Sequence, residues 1–194
     1  DGPGKVLKKI GGKPMLQRHI ERIQRSRLID EIVVATTTSS KDDPLVELTQ
    51  QIGVKVFRGS EEDVIGRIAA LLKEHQVEIH VELIGDSPLA DPHIIDEVIG
   101  FYLKHQDQYD YVSNDIKVTY PSGSQVYVYS ASILLEAEAS LKKDDPMREH
   151  VDLHMKKKGR YRCANLEAPS YYHYPDIYIE VDTETDFKMV SAIF

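Results

Sequence analysis

The sequence predicts an α/β fold with a mostly parallel sheet and helices on both faces. Three observations carry that expectation. Short apolar runs at residues 31–37, 54–58 and 79–84 read as buried strands. Amphipathic helical patterns lie between them, as in a sheet built from strand–helix–strand units. Asp86 follows the third run, at what would be the carboxyl end of the sheet, where open α/β folds bind ligands.

The elements follow in order. Residues 14–25 place Met15, Leu16, Ile20 and Ile23 largely on one helical face, and residues 42–51 form a shorter helix. Residues 61–75 carry Val64, Ile65, Ile68, Leu71 and Leu72 at helical spacing. Ser60 followed by Asp63 resembles a capping box with Asp in the Glu position. Residues 92–106 turn Ile94, Ile95, Val98, Ile99 and Leu103 inward, with Asp91 as cap and Pro92 at the first helical position. The second half is less regular. Residues 109–113 are strand-like, and residues 125–130 alternate as a half-exposed strand would. Residues 131–141 and 146–158 read as helices, the second ending in Lys156-Lys157-Lys158 before a Gly159 cap. Residues 161–166 and 177–181 are further strands, and a last helix starts near Thr183 with Thr183 and Asp186 as its cap. With no repeats or linkers, residues 1–194 read as one domain with an elaborated or inserted region at about 110–176.

Composition bounds the function. A chain of 194 residues that is 41% hydrophobic can bury a sizeable core. It has no long uncharged apolar run for a membrane span and no visible secretory signal, so the expected location is cytoplasmic. Cys163 is the single cysteine, which excludes an intrachain disulfide and a cysteine-rich zinc site. The net charge of -8 argues against nucleic acid as a partner. It does not argue against a nucleotide, because one local lysine and a metal can offset a triphosphate.

Two acidic positions stand at strand ends: Asp86, in Gly85-Asp86-Ser87-Pro88-Leu89-Ala90-Asp91-Pro92, and Asp182, in Asp182-Thr183-Glu184-Thr185-Asp186. Brought together, they could hold magnesium and through it a nucleoside triphosphate. Each has an alternative as a turn or helix cap. Gly2-Pro3-Gly4-Lys5 is small, turn-forming and basic, so it could wrap phosphates or be an ordinary surface turn. Lys13 precedes a helix start and could reach phosphate or remain solvated, while Gly11-Gly12 shapes the entry to that helix. Arg148 and His150 sit early in a helix and are possible substrate contacts; His150 could also move a proton or simply pack. His75, His80, His93, His105, His154 and His173 show no spacing that forces a metal site, and neither a Ser-His-Asp arrangement nor a Walker lysine motif is present.

Pro3-Gly4-Lys5-Val6-Leu7 and Gly12-Lys13-Pro14-Met15-Leu16 resemble the opening of nucleotidyltransferases that activate sugars. Together with residues 30–36, 56–64 and 85–92, they resemble the acylneuraminate cytidylyltransferase group, and within it most of all the spore-coat polysaccharide biosynthesis branch of the SpsF type. Residues 111–114, Arg148-Glu149-His150 and residues 181–187 extend the likeness almost to the end. The resemblance implies a Rossmann-like nucleotide-diphospho-sugar transferase fold and a Mg2+-dependent transfer of CMP from CTP to a nonulosonate-like or related sugar for surface polysaccharide synthesis, releasing pyrophosphate. It implies phosphate binding by Gly2, Gly4 and Lys5, catalytic roles for Lys13 and Asp86, and metal binding by Asp86 and Asp182. It also implies a homodimer formed near residues 115–160.

This sequence departs from the group in three places. The buried strand and most of the loop that normally precede Pro3 are absent from the 194 residues, so the first strand of the sheet is expected to be missing. Glu82 stands where relatives carry a basic residue. Gln125-Val126-Tyr127 replaces an aspartate-valine-glutamate run. These leave two alternatives open: an inactive member that binds a sugar nucleotide or a protein, and a nucleotidyltransferase with another base or acceptor.

Overall fold

The computed structural model describes residues 4–156 and 159–194. The chain opens with a short helix α1 (Gly4–Leu7) and a two-stranded hairpin, β1 (Lys9–Ile10) and β2 (Lys13–Pro14). Gly11 and Gly12 turn that hairpin at φ 54° and 82°, conformations that side-chain-bearing residues rarely adopt. Helix α2 (Met15–Ile23) follows at once, burying Met15, Leu16, Ile20 and Ile23 as their spacing requires, and His19 with them.

The sheet is built from β3 (Val33–Thr37), β4 (Lys55–Gly59), β5 (Ile79–Glu82), β6 (Tyr111–Ser113), β7 (Tyr127–Ser130) and β8 (Cys163–Asn165). Helices α3 (Asp43–Gln51), α4 (Val64–Glu74), α5 (Pro92–His105), α6 (Ala131–Ser140), α7 (Val151–Met155) and α8 (Glu184–Ser191) complete the chain. Strands β3 and β4 pair in parallel. A four-stranded sheet has the order β5-β7-β6-β8, with β6 and β8 parallel and β7 antiparallel to both neighbours. The antiparallel strand refines the expectation of a mostly parallel sheet. Its cause is local: buried Asn114 donates to the Ser124 carbonyl and accepts from the Val126 N–H, closing residues 114–126 into a broad hairpin rather than a crossover.

Alternation along the strands sorts the core into two faces. Tyr111, Tyr127 and Tyr129 pack with α4, α6 and α7, while Val112, Val126 and Val128 pack with α5. His80 points to the tyrosine face, meets Tyr129 edge-on, and is held neutral by burial, which pushes its pKa down to about 4. Between β3 and β5 the sheet is interrupted. Among the described residues no backbone hydrogen bond joins them, and most of their residues are half-buried where those of β6 and β7 are buried.

Three local expectations change. Residues 177–181 form no regular strand; they are tied to Ser122 by a single parallel bridge, and Ile177 and Tyr178 face solvent, so no second face is buried to extend the pairing. Residues 146–158 are not one helix. A 3-10 turn, Pro146–Glu149, is capped by Asp145, His150 breaks the path at φ -130° and ψ 87°, and α7 starts afresh. Lys157 and Lys158 lie outside the described residues. Asp63, rather than Ser60, caps α4, accepting from the Gly66 N–H at 2.9 Å, while Ser60 Oγ accepts from Asp63 N–H. The caps expected elsewhere are present: Asp91 accepts from the His93 N–H, and Thr183 with Asp186 forms a reciprocal capping box for α8.

Candidate active site

The site is assembled beyond the end of β5. The chain leaves that strand and turns through Asp86–Asp91, with the Ala90 N–H on the Ser87 carbonyl, before Asp91 starts α5. The Val181 N–H donates to the Asp86 carbonyl at 2.9 Å. That one backbone bond brings the segment carrying Asp182 beside the segment carrying Asp86. The two carboxylates then meet on a single cation: Lys5 Nζ lies 3.3 Å from Asp86 Oδ2 and 3.1 Å from Asp182 Oδ1. Asp86 is the more enclosed, its side chain 19% exposed against 47% for Asp182.

The electrostatics follow from this triad. Burial pulls the Lys5 ammonium toward neutrality, but the hydrogen bond to Asp182 and the charge of Asp86 outweigh it, so its pKa is raised. Asp182 is held below the usual carboxylate range, first by the hydroxyl of Tyr178, which donates to Oδ2, and then by Lys5. Nearby, Lys8 pairs with Glu184 at 2.9 Å and lies over the Phe187 ring, docking α1 against the start of α8.

Two convergent carboxylates are a hard oxygen donor set. Magnesium fits it, because that ion is commonly held by one or two carboxylates with waters and substrate phosphates filling its octahedron. Among the described residues no group of three or more His, Cys, Asp or Glu could hold a metal by itself. A dication here would therefore depend on the bound substrate for its remaining ligands.

The structure sorts the other sequence candidates. Gly4 starts α1, and a Cβ added to it would meet nothing within 4 Å, so open space surrounds it. Gly2 lies outside the described residues. Lys13 pairs with Glu21 at 2.6 Å, and Gln17 supports the same carboxylate at 3.0 Å. No hydrogen bond or ion pair joins Lys13, Arg148 or His150 to the Lys5 triad among the described residues. Arg148 is not placed for a substrate. Its buried guanidinium grips Asp63 through two 2.9 Å bonds and Glu138 through one of 2.7 Å, which satisfies the fork internally. His150 is exposed at the end of the 3-10 turn.

The residues that depart from the sugar-activating group have clear placements. Glu82 accepts from the Tyr129 hydroxyl at 2.8 Å across the β5–β7 pair. Gln125 accepts from the Gly123 N–H and donates to Ser122, which in turn donates to Glu180. Gly123 permits this turn: its φ is 97°, and a Cβ there would lie 2.7 Å from the Glu180 nitrogen.

Three residues at the site were not singled out from sequence. His19 and Arg22 on α2 bond the carbonyls of Ser87 and Ala90, and Tyr178 bonds Asp182. A histidine within the apolar stripe of α2 was the only legible hint of the first. Among the described residues no helix is long and apolar enough to cross a membrane.

An uncharacterized protein of Methanocaldococcus jannaschii, MJ1063, is 34% identical over 186 residues, covering 95% of this chain and 74% of that protein. Spore coat polysaccharide biosynthesis protein SpsF of Bacillus subtilis is 29% identical over 197 residues, covering 99% of this chain and 80% of SpsF. The solved structure of a cytidylyltransferase from Leptospira borgpetersenii superposes with a TM-score of 0.89 at 27% identity, covering 99% of this chain and 81% of that one. The family described as cytidylyltransferase matches residues 3–186. That match spans nearly the whole chain, so the chain belongs to the cytidylyltransferase family and is a nucleotidyltransferase.

Proposed function

We propose that the protein is a Mg2+-dependent cytidylyltransferase that moves CMP from CTP to a nonulosonate-like or related sugar, for surface polysaccharide synthesis in the cytoplasm. The single observation that carries this reading is the convergence of Asp86 and Asp182 on Lys5 at the end of β5. Support for polysaccharide synthesis comes from the likeness to the spore coat polysaccharide biosynthesis protein SpsF, and support for the acceptor class from 3-deoxy-manno-octulosonate cytidylyltransferase of Geobacter sulfurreducens, 40% identical over 100 residues, half of this chain and 38% of that enzyme.

In this reading Asp86 and Asp182 hold the ion. When bound, magnesium supplies Lewis-acid polarisation of the phosphates and neutralises their charge. Lys5, already beside both carboxylates, offers its ammonium to the triphosphate; Lys13 adds a second cation, and the backbone at Gly4 leaves room for close approach. An acceptor oxygen attacks the α-phosphorus in line, the bond from that phosphorus to the bridging oxygen breaks, and pyrophosphate leaves. The chain's contribution is alignment and a preset field rather than covalent chemistry. The protein acts as a homodimer joined through residues near 115–160.

Pyrophosphate release from CTP and Mg2+, screened over 2-keto acid sugars and related sugars, tests the reading. Acceptor-dependent release with formation of a CMP-sugar is expected. No release with any acceptor, from folded protein that also shows no chelator-sensitive CTP binding, would overturn it.

A further inference from the structure

We infer that His19 is a positioning residue: it fixes the loop that carries Asp86. The inference rests on the proposed role of Asp86 as a metal ligand. His19 projects from α2 into the protein, 4% exposed, and its Nδ1 lies 2.6 Å from the Ser87 carbonyl oxygen. A carbonyl can only accept, so Nδ1 carries the proton and donates. Arg22, one turn further along the same helix, donates Nε to the Ala90 carbonyl at 2.7 Å. Thus α2 holds both ends of the Ser87–Ala90 turn. The Val181 N–H holds the Asp86 carbonyl from the other side. Asp86 is left with its backbone clamped between two elements and its carboxylate turned to Lys5 through Oδ2, with the Ser87 hydroxyl on Oδ1 at 3.4 Å.

The chemistry of imidazole suits the position. Burial holds the ring neutral, pushing its pKa to about 4, so it donates one directed hydrogen bond without adding charge beside the triad. A lysine or arginine would bring a competing cation, and an apolar residue would leave the Ser87 carbonyl only the Ala90 N–H of its own turn, with no tether to α2. Outer groups that orient a metal ligand characteristically change metal affinity by about 10-fold to 100-fold when removed.

Three variants separate positioning from packing. His19→Leu removes the donor, His19→Asn keeps an N–H near the Nδ1 position, and Ile20→Val perturbs the same buried helix face without touching the loop. Two measurements are made on each full-length protein: Mn2+ affinity in the presence of CTP, by electron paramagnetic resonance, and amide exchange of residues 86–90. His19→Leu is expected to weaken Mn2+ binding about 10-fold and speed loop exchange, with His19→Asn near wild type and Ile20→Val unchanged in both. Equal behaviour of His19→Leu and Ile20→Val would overturn the inference. So would a His19→Asn variant as impaired as His19→Leu. If wild-type protein binds no Mn2+ with CTP, the metal reading of Asp86 fails and the positioning role with it. Loop exchange in His19→Leu then still reports whether the tether exists, which distinguishes the two failures.

Discussion

Lys5 stands between Asp86 and Asp182 as Arg148 stands between Asp63 and Glu138, and the two clusters are held in opposite ways. Lys5 reaches its carboxylates singly, at 3.3 and 3.1 Å, from a short helix at the protein surface. Arg148 is 9% exposed, clasps Asp63 with a two-pronged fork, and adds Glu138 and two carbonyls. An ammonium is a hydrated point charge that another cation can replace, whereas a guanidinium fork matches a carboxylate in direction as well as charge. Location sharpens the contrast. The Arg148 cluster joins α4, α6 and the turn before α7, and Asp63 also caps α4. The Lys5 cluster joins α1 to two loops beyond the end of β5. One cation between two acids can therefore be a fastener or an exchangeable counter-ion, and geometry rather than composition decides which.

The largest effect expected from breaking this comparison is at Asp86. Asp86→Asn removes one charged ligand and should lower CTP turnover about 1,000-fold, roughly 4 kcal/mol at 1.36 kcal/mol per decade. Its urea midpoint should stay near wild type, because the loop is held through its backbone. Steady-state kinetics beside urea unfolding checks both halves; retained turnover would remove Asp86 from the metal site.

Arg148→Met should do the reverse, sparing turnover and lowering stability. Breaking a buried ion pair costs about 3–5 kcal/mol. Here the acids are 36% and 26% exposed, so water recovers part of that cost and about 2 kcal/mol is expected. The acid limb gives a second check. Burial raises the Asp63 pKa, but the hydrogen bonds from Arg148 and the Gly66 N–H prevail and hold it below its ordinary 3.8. With the folded pKa depressed, this contribution is full above the unfolded value and is lost as pH falls through the folded one. Thermal melts between neutral pH and pH ~3 should fall more steeply for wild type than for Arg148→Met.

The sequence treated these clusters alike for a physical reason. Asp86 and Asp182 could be singled out because each follows an apolar run, although each also read as a cap and the run before Asp182 forms no regular strand. Arg148 and His150 looked equally functional, since nothing beside them names a partner. The acids that claim Arg148 lie 85 and 10 residues away in the chain. His19 was hidden more deeply, because its partner is a backbone carbonyl 68 residues on, and carbonyls carry no sequence identity. The fold was readable wherever apolar spacing had one solution, as in β3, β5, α4 and α5, apart from Leu103, expected inward on α5 but 40% exposed. It was misread at residues 177–181, where alternation suggests a strand but one side meets only solvent.

A smaller effect separates the two roles of Lys5. Lys5→Gln should raise the KM for CTP about 10-fold, close to 1.4 kcal/mol, through loss of a phosphate-directed charge. The same variant should bind Mn2+ alone more tightly than wild type, since no ammonium then competes for Asp86 and Asp182. Paramagnetic resonance without nucleotide measures the second effect. Weaker Mn2+ binding in Lys5→Gln would show that Lys5 organises the carboxylates as Arg148 organises its own, and the contrast between the clusters would fail.

The smallest expected change tests how Asp182 is held. Tyr178 is 43% exposed and donates its hydroxyl to Asp182 Oδ2, the oxygen opposite the one facing Lys5. This bond lowers the Asp182 pKa and orients the carboxylate, but water can replace it at such an exposed place. Tyr178→Phe should therefore weaken Mn2+ binding only about threefold, the lower end of a net hydrogen bond near 0.5–1.5 kcal/mol. The Asp86 carboxylate instead meets the buried Ser87 hydroxyl at 3.4 Å, and its loop is fixed from within by α2. A loss at Tyr178→Phe as large as that at His19→Leu would mean that both carboxylates depend on an oriented partner to the same degree. A loss confined to His19→Leu would place the rigidity of the site on the Asp86 side, leaving Asp182 as the ligand that adjusts when substrate arrives.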